Sequence, residues 1–577
     1  MSRPLNFLII GAGSRDAAYA QAVTVTNTDS ANPARIAAVA EPDPFKRAEF
    51  GRKFIWGRAG SSERGQEFTD WREWIAWEDA RRLKAKTNLQ SEKDDRGEKT
   101  QASQLGDADP DVVITGVFVC TLDSSHAEIL RALAHLNLHV LCEKPLALRL
   151  EDCLDIQAAY SSHKIHSNPN NHYINGNGSA IIKQKQEKIF SIGHVLRYSP
   201  FNILLRRLLL HDRAIGDVIS LEHTEPVGWW HFTHSYVRGN WRHTTPQGVG
   251  TLLTKSCHDI DFIMWLLSSP PDPTDTRATP HLPATISSTG SLAHFRRARK
   301  PREAGKATNC TKCPLGEDGC AFSAKKIYRD RWLRRDRETG WPLNIVLPEI
   351  EDVVSSSSSS SSDPSGGWEA AEAALLDKLG EDYDASNAQE VVVKRVKERG
   401  WYGRCVYESD NDVIDDQTVT MTWDEEDEPL LPHPEGYVTR GPKTAIFHLT
   451  FATQAQCDRR GRIYGSRGEI AYDSNSITVY TFADEKVVEH VLPAPSFEEE
   501  KNHGGGDIGL ARSFVDAVRA VEEGHMTADE AQRRFVGGDL EEFVCSHAVV
   551  FAAEEARMEG RVVKFPEWWT EKQGLMI

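Results

Sequence analysis

The sequence predicts an α/β protein: a doubly wound parallel sheet, followed by an α+β domain with an open, largely antiparallel sheet. Three observations carry this. Short apolar runs at residues 5–10, 36–40 and 112–120 are separated by helix-length segments, and strands that alternate with helices pair in parallel. Two glycines, Gly11 and Gly13, stand between the first run and the first helix, a βαβ opening. Beyond residue 218 the pattern changes. Val218–Gly228, "TVTMTW", "TAIFHLTFAT", "GRIYGSRGEIAYD" and "SITVYTF" follow one another as strands, as in an antiparallel sheet.

Taken in order, the first run ends at Gly11 and the second at Glu41. The third leads through a helical segment, residues 125–136, into "HVLCEKPLAL", a strand broken by Pro145. "FSIGHVLRYSP" contributes one more strand and closes this half, so the division expected is residues 1–193 and residues 194–577. Four stretches read as inserted, mobile segments. Residues 84–109 are charged, 161–188 are rich in Ser, Asn, Gly and Lys, 270–283 carry five prolines, and 350–367 contain the serine run 355–362. The second half is expected to carry its insertions at 270–283 and across 300–400. Two helices end the chain, 507–523 before Gly524 and 540–559 before Gly560.

Composition narrows the function classes. A length of 577 residues exceeds what one core supports. The net charge of −17, from 68 basic and 85 acidic side chains, argues against nucleic acid or an anionic membrane as partner. No apolar run approaches the roughly 18 residues of a spanning helix, and Met1–Pro4 lead straight into a strand without a signal-like leader. A cytoplasmic location is expected. The ten cysteines, several within apolar runs such as Cys120, Cys142 and Cys545, read as reduced, buried hydrophobes.

Gly11 and Gly13 offer bare backbone to a pyrophosphate at a helix N-terminus. Asp16 replaces the third glycine of that pattern and brings a negative charge toward the phosphates. Glu41 ends the second strand where a carboxylate accepts from a ribose 2′-hydroxyl and repels a 2′-phosphate, so NAD is expected in preference to NADP. Asp43 adds to that repulsion, and Lys46 and Arg47 moderate it.

With "EKP" at Glu143–Pro145, the chain resembles the glucose-fructose oxidoreductase, inositol dehydrogenase and MocA (Gfo/Idh/MocA) family over residues 5–51, 111–155, 191–267 and 404–563. The resemblance implies an N-terminal Rossmann domain that binds NAD(P) and a C-terminal sheet through which copies assemble into a homo-oligomer. It also implies a small-molecule substrate and a lysine, Lys144, beside the nicotinamide, with Pro145 in a cis bond. Cofactor contacts are expected at Gly11, Gly13, Ser14, Arg15, Glu41, Thr121, His126, Glu143, Lys144 and Pro145.

"GVGTLLTKSCHDID" resembles the family's second signature, with His258 at the histidine and Thr254 where an aspartate is usual. Leu253, Cys257, Ile260, Met264 and Leu267 form one apolar stripe of a helix, and Lys255 and His258 lie on another face. Imidazole suits proton abstraction from a secondary alcohol. His258 is therefore the expected base, with Lys144 and Lys255 holding a developing alkoxide and lowering the histidine's pKa by like-charge repulsion, and Asp261 orienting the ring or capping a polar edge.

"EPVGWWHFTHSYVRGNWRH" combines aromatic faces with guanidinium groups, a pattern for sugar stacking and anion binding; an interface is the alternative. Substrate contacts are expected from Arg197, Tyr198, Trp230, His231, Arg238, Trp241 and His503, with His503 just before a glycine run and Asp507 as a helix cap. Cys310, Cys313 and Cys320 resemble part of a zinc knuckle without an identified fourth ligand, so a reduced, packed loop is preferred to zinc. The expected activity is hydride transfer between NAD(P) and a secondary hydroxyl of a sugar, polyol or sugar acid. The alternatives are an NAD-retaining glycoside-cleaving enzyme of the same fold and a catalytically silent regulatory protein.

Overall fold

The computed structural model describes residues 4–25, 33–58, 60–94, 113–161, 172–174, 180–182, 188–275, 278–360, 366–383, 399–426, 430–433, 436–438, 440–492 and 504–574. The first sheet contains β1 (Leu5–Ile10), β2 (Ala34–Ala40), β3 (Glu67–Phe68), β4 (Gly116–Val119), β5 (His139–Cys142) and, after a two-stranded ribbon of β6 (His172–Ile174) and β7 (Ala180–Ile182), β8 (Phe190–Ile192). Its order is β3-β2-β1-β4-β5-β8 with every pair parallel. All six residues of β1 are buried, because helices cover both faces of a parallel sheet and a continuous apolar run suits its centre.

The second sheet has nine strands in the order β18-β17-β16-β15-β9-β14-β11-β10-β19. These are β9 (Val218–Pro226), β10 (Thr285–Ser291), β11 (Asp416–Trp423), β14 (Lys443–Thr450), β15 (Arg460–Gly465), β16 (Gly468–Tyr472), β17 (Ser476–Thr481), β18 (Lys486–Val491) and β19 (Val563–Lys564); β12 (Leu430–His433) and β13 (Gly436–Val438) pair separately. Only β9 and β14 run parallel; the other pairs are antiparallel. β11 alternates buried and half-buried residues along its whole length, as a strand with one covered face does.

The end of the chain joins the two sheets. The helix Leu540–Glu559 touches β10, the helix Cys257–Leu267 and the helix Leu150–Tyr160. The helix Gly506–Glu522 packs on Ser14–Val25, with Phe514 against Phe7 and Phe118. One hydrophobic cluster therefore runs through both sheets.

Three expectations require correction. The segment 84–109 begins as helix, since Trp71–Asp94 is one helix. The segment 300–400 contains its own core, in which Tyr328, Leu343 and Leu375 cluster with Trp230, and residues 355–360 of the serine run lie in the helix Ile350–Ser360. Finally, the helix read across residues 253–267 is two, Thr251–Thr254 and Cys257–Leu267, interrupted at Lys255 and Ser256. No helix among the described residues is long and apolar enough to cross a membrane.

Candidate active site

The carboxyl end of β5, beside those of β4 and β1, meets the break between the helices Thr251–Thr254 and Cys257–Leu267 through Lys144. Gly11 leaves β1 with φ +111°, and a Cβ there would lie 2.9 Å from Asp16 Oδ1 and 3.0 Å from the Cys120 carbonyl oxygen. Only glycine fits that turn. Gly13 is exposed at its tip. Asp16, 1% exposed, turns inward and accepts the Gly13 N–H through Oδ2. Burial raises this carboxyl to about 7; the Gly13 N–H opposes the shift and Glu41 adds to it.

Arg15 is a brace. Its guanidinium lies 2.9 Å from Glu143 and 2.7 Å from Asp507, and it donates to Tyr19 Oη at 3.0 Å. It ties the glycine turn to the end of β5 and to the helix Gly506–Glu522. Asp507 is thus not the helix cap expected: Gly505 occupies that position, and Asp507 lies in the first turn facing Arg15. Glu41 follows β2 and accepts the Asp43 N–H at 2.9 Å. The Asp43 carboxylate accepts from Phe45 and Lys46 N–H as the cap of the next helix, a local task. His126 bridges the loops after β4 and β5, with its ring nitrogens 2.8 Å from Pro145 O and 3.1 Å from Thr121 O. The side chain of Ser14 and all of His503 lie outside the described residues.

The Lys144–Pro145 bond is cis. Lys144 Nζ donates to the Thr254 carbonyl at 2.6 Å, so the end of β5 meets the helix break directly. Thr254 Oγ1 donates to Gly250 O within its own turn and carries no acid. Burial lowers the Lys144 ammonium below its usual range; the Cys257 thiol works against this and Lys255 adds to it.

Across the crevice lies a network of buried charges. His258 Nε2 is 2.7 Å from Arg459 Nη2 and 3.3 Å from Asp259 Oδ2. Arg459 also bonds Asp259 Oδ1 at 2.6 Å and Glu225 at 2.9 Å. Glu225, fully buried, also pairs with Lys255, whose Nζ lies 3.0 Å from Oε1. Lys255 donates to Cys457 Sγ at 3.2 Å, and His231 Nδ1 lies 3.5 Å from the same sulfur. Burial holds His258 well below the usual imidazole range; Asp259 opposes this, and Arg459 and Lys144 add to it. Burial alone would lower Lys255, yet the Cys457 thiol and Glu225 outweigh it and hold the ammonium above its usual range. Lys255 is an ion-paired structural cation.

Several residues expected at the substrate are placed elsewhere. Arg197 forms two 2.7 Å bonds to Asp261 and one to Glu542, which also removes Asp261 from His258. Tyr198 Oη donates to Val536 O. Trp230 packs between Trp332 and Trp341. Arg238, fully buried, donates to the carbonyls of Arg404 and Phe322 and to Cys310 Sγ. Trp241 does reach the crevice side, donating to Asp123 in the loop after β4 at 3.0 Å. Cys310, Cys313 and Cys320 line one small cavity with Cys405, but among the described residues no group of three or more His, Cys, Asp or Glu side chains is arranged to hold a metal.

Sequence reasoning missed Arg459, Glu225, Asp259 and Cys457 as a group. Arg460 pairs with Thr224 across β15 and β9, so only sheet register brings Arg459 beside Glu225. The one local signal was a string of charged residues, "CDRRGR", ahead of a strand.

A glycine turn at the carboxyl end of a parallel sheet, with an acid just past the second strand, is the arrangement of a dinucleotide-binding fold. Residues 5–167 match the model of the oxidoreductase family with an NAD-binding Rossmann fold, the Gfo/Idh/MocA family. Inositol 2-dehydrogenase 1 of Saccharopolyspora erythraea is 27% identical over 165 residues, which is 29% of this chain and 37% of that protein. The match spans little more than a third of that relative. Among solved structures, levoglucosan dehydrogenase in complex with NADH and levoglucosan aligns with 98% of this chain and 100% of its own at 15% identity and TM-score 0.51. An oxidoreductase domain protein from Kribbella flavida does so over 98% and 100% at 17% identity and TM-score 0.52. Both likenesses are of fold.

Proposed function

We propose that this protein is an NAD(H)-linked oxidoreductase acting on a secondary hydroxyl of a neutral sugar or polyol, with residues 1–193 holding the cofactor and residues 194–577 the substrate. The observation that carries this is the 2.6 Å bond from Lys144 Nζ to Thr254 O, which joins the cofactor strand to the helix break. The open glycine turn, with Gly13 exposed, and Glu41 at the end of β2 suit a dinucleotide, and the Glu41 carboxylate favours NAD over NADP. When bound, the nicotinamide supplies the hydride acceptor.

Lys144 is the proton-transfer group in this reading. Burial lowers its affinity for a proton, and the Thr254 carbonyl stabilises its charged form. His258 is a poorer base than its sequence position suggests: Nε2 already accepts from Arg459, and a proton there would put imidazolium against guanidinium. His258 instead offers a neutral, positioned ring to the substrate side.

Neutral substrates are favoured over sugar acids because Arg197, Arg238, Lys255 and Arg459 are all engaged with internal partners. Trp241, half-buried and held by its indole N–H to Asp123, offers its ring to the sugar face. Assembly through the C-terminal sheet, where Ile446 is exposed on β14, belongs to the same reading. The test is to mix the protein with NAD and separate panels of neutral polyols and sugar acids, following reduced nicotinamide. Turnover of sugar acids alone would refute the neutral-substrate reading. A glycoside consumed with no net NADH would point to the NAD-retaining, bond-cleaving alternative.

A further inference from the structure

We propose that Asp16 competes with the cofactor pyrophosphate for the Gly13 amide, so that dinucleotide binding takes up a proton at Asp16; this rests on the NAD-binding reading above. In glycine turns of this kind, N–H groups at the helix start are what an anion binds. Here the Gly13 N–H is already occupied by Asp16 Oδ2. The carboxylate acts as an internal stand-in for phosphate.

The surroundings penalise that carboxylate. Asp16 is 1% exposed, and Oδ1 is buried with no hydrogen-bond partner among the described residues. An unsatisfied buried carboxylate oxygen is costly, and protonation relieves the cost. The groups around it do not supply a compensating cation. On its own helix, Arg15 is paired with Glu143 and Asp507, and Tyr19 donates to Glu143. From the end of β4 comes the Cys120 thiol, a weak donor to the carboxylate, and from the end of β2 Glu41, while Glu143 at the end of β5 acts on the same thiol. Apart from the Gly13 amide, the direct neighbours are neutral or acidic.

A dianionic pyrophosphate brought to this turn adds negative charge a few ångströms from Asp16, and the two cannot both accept from one N–H. The complex favours the neutral acid, which no longer competes as an anion. Binding then weakens as pH rises through the range where free Asp16 ionises, burial having raised that carboxyl to about 7. Above that range the limit for one coupled proton is about tenfold in affinity per pH unit.

The experiment is titration calorimetry of the full chain with NAD from mildly acidic to mildly alkaline pH, in buffers of different ionisation enthalpy. The wild type, Asp16→Asn and Asp16→Gly are compared, with melting temperature as the folding control. Expected results are an affinity that falls toward tenfold per unit in the wild type, uptake of close to one proton at alkaline pH, and loss of both in Asp16→Asn. Asp16→Gly, which also frees the amide, is expected to bind tightest at alkaline pH. A flat wild-type profile, or an unchanged slope in Asp16→Asn, overturns the proton linkage while leaving NAD binding intact. Absence of NAD binding in all three at every pH overturns the NAD-binding reading itself, and the linkage with it.

Discussion

The two walls of the crevice solve the placement of charge differently. On the parallel-sheet wall, Gly11, Asp16, Glu41 and Lys144 each sit within a few residues of the carboxyl end of a strand; the surroundings of the first three come from adjacent turns, and Lys144 alone reaches across to the helix break. On the opposite wall, Glu225, Lys255, His258, Asp259 and Arg459 come from β9, a helix break and the loop before β15, and form one compensated ionic network. The first wall leaves Lys144 and Asp16 under-compensated, so their protonation is adjustable. The second pairs its charges closely, so its members are rigid and expensive to separate.

The largest expected effect tests the adjustable wall. Lys144→Met should lower turnover by about 10²–10⁴-fold, the usual contribution of a positioned proton-transfer group, with the melting temperature little changed. Activity retained within a factor of ten would remove Lys144 from the chemistry. Glu225→Gln tests the rigid wall: it leaves Lys255 and Arg459 without their shared carboxylate, and breaking a buried pair costs about 3–5 kcal/mol. Denaturant unfolding should register that loss; stability equal to wild type would mean the network is not compensated as described.

His234 gives the same contrast through pH. Burial lowers this imidazole to about 3 from its usual 6.5, and its ring packs against Tyr328 and Tyr402. Below pH 6.5 the unfolded chain takes up a proton that the folded chain refuses until pH approaches 3, so the stability contribution is lost across that interval at up to about 1.4 kcal/mol per unit. His234→Gln should flatten this slope in acid unfolding; an unchanged slope would assign the acid sensitivity to other groups. The smallest effect is expected where the walls touch lightly. Trp241→Phe removes the bond to Asp123, worth about 1 kcal/mol, and should raise the KM for substrate several-fold without altering kcat.

The legible part of the fold was the periodic part. β1 is apolar at every position because it is covered on both faces, and β11 alternates because it is covered on one; each pattern is local and readable. The glycine turn, Glu41 and the EKP triplet were readable for the same reason. The helix break at Lys255 was not, because the apolar stripe continues through it, and the partners met there, Lys144 at Thr254 O and Glu225 at Lys255, come from distant segments. The guanidinium groups of Arg197 and Arg238 looked like ligands for an anion because a sequence does not reveal which carboxylates and carbonyls will meet them.

By itself, then, the sequence determined the order of strands and helices, the turn able to approach a pyrophosphate and the presence of Asp16 within it, since these depend on neighbours one to four residues apart. Only the tertiary structure decided which charges cancel, bringing Arg459 to Glu225 by pairing β15 with β9 and Arg197 to Asp261 and Glu542. The physical reason is range. Backbone geometry and burial periodicity are set over a few residues, whereas an ion pair depends on which distant segments share one desolvated volume.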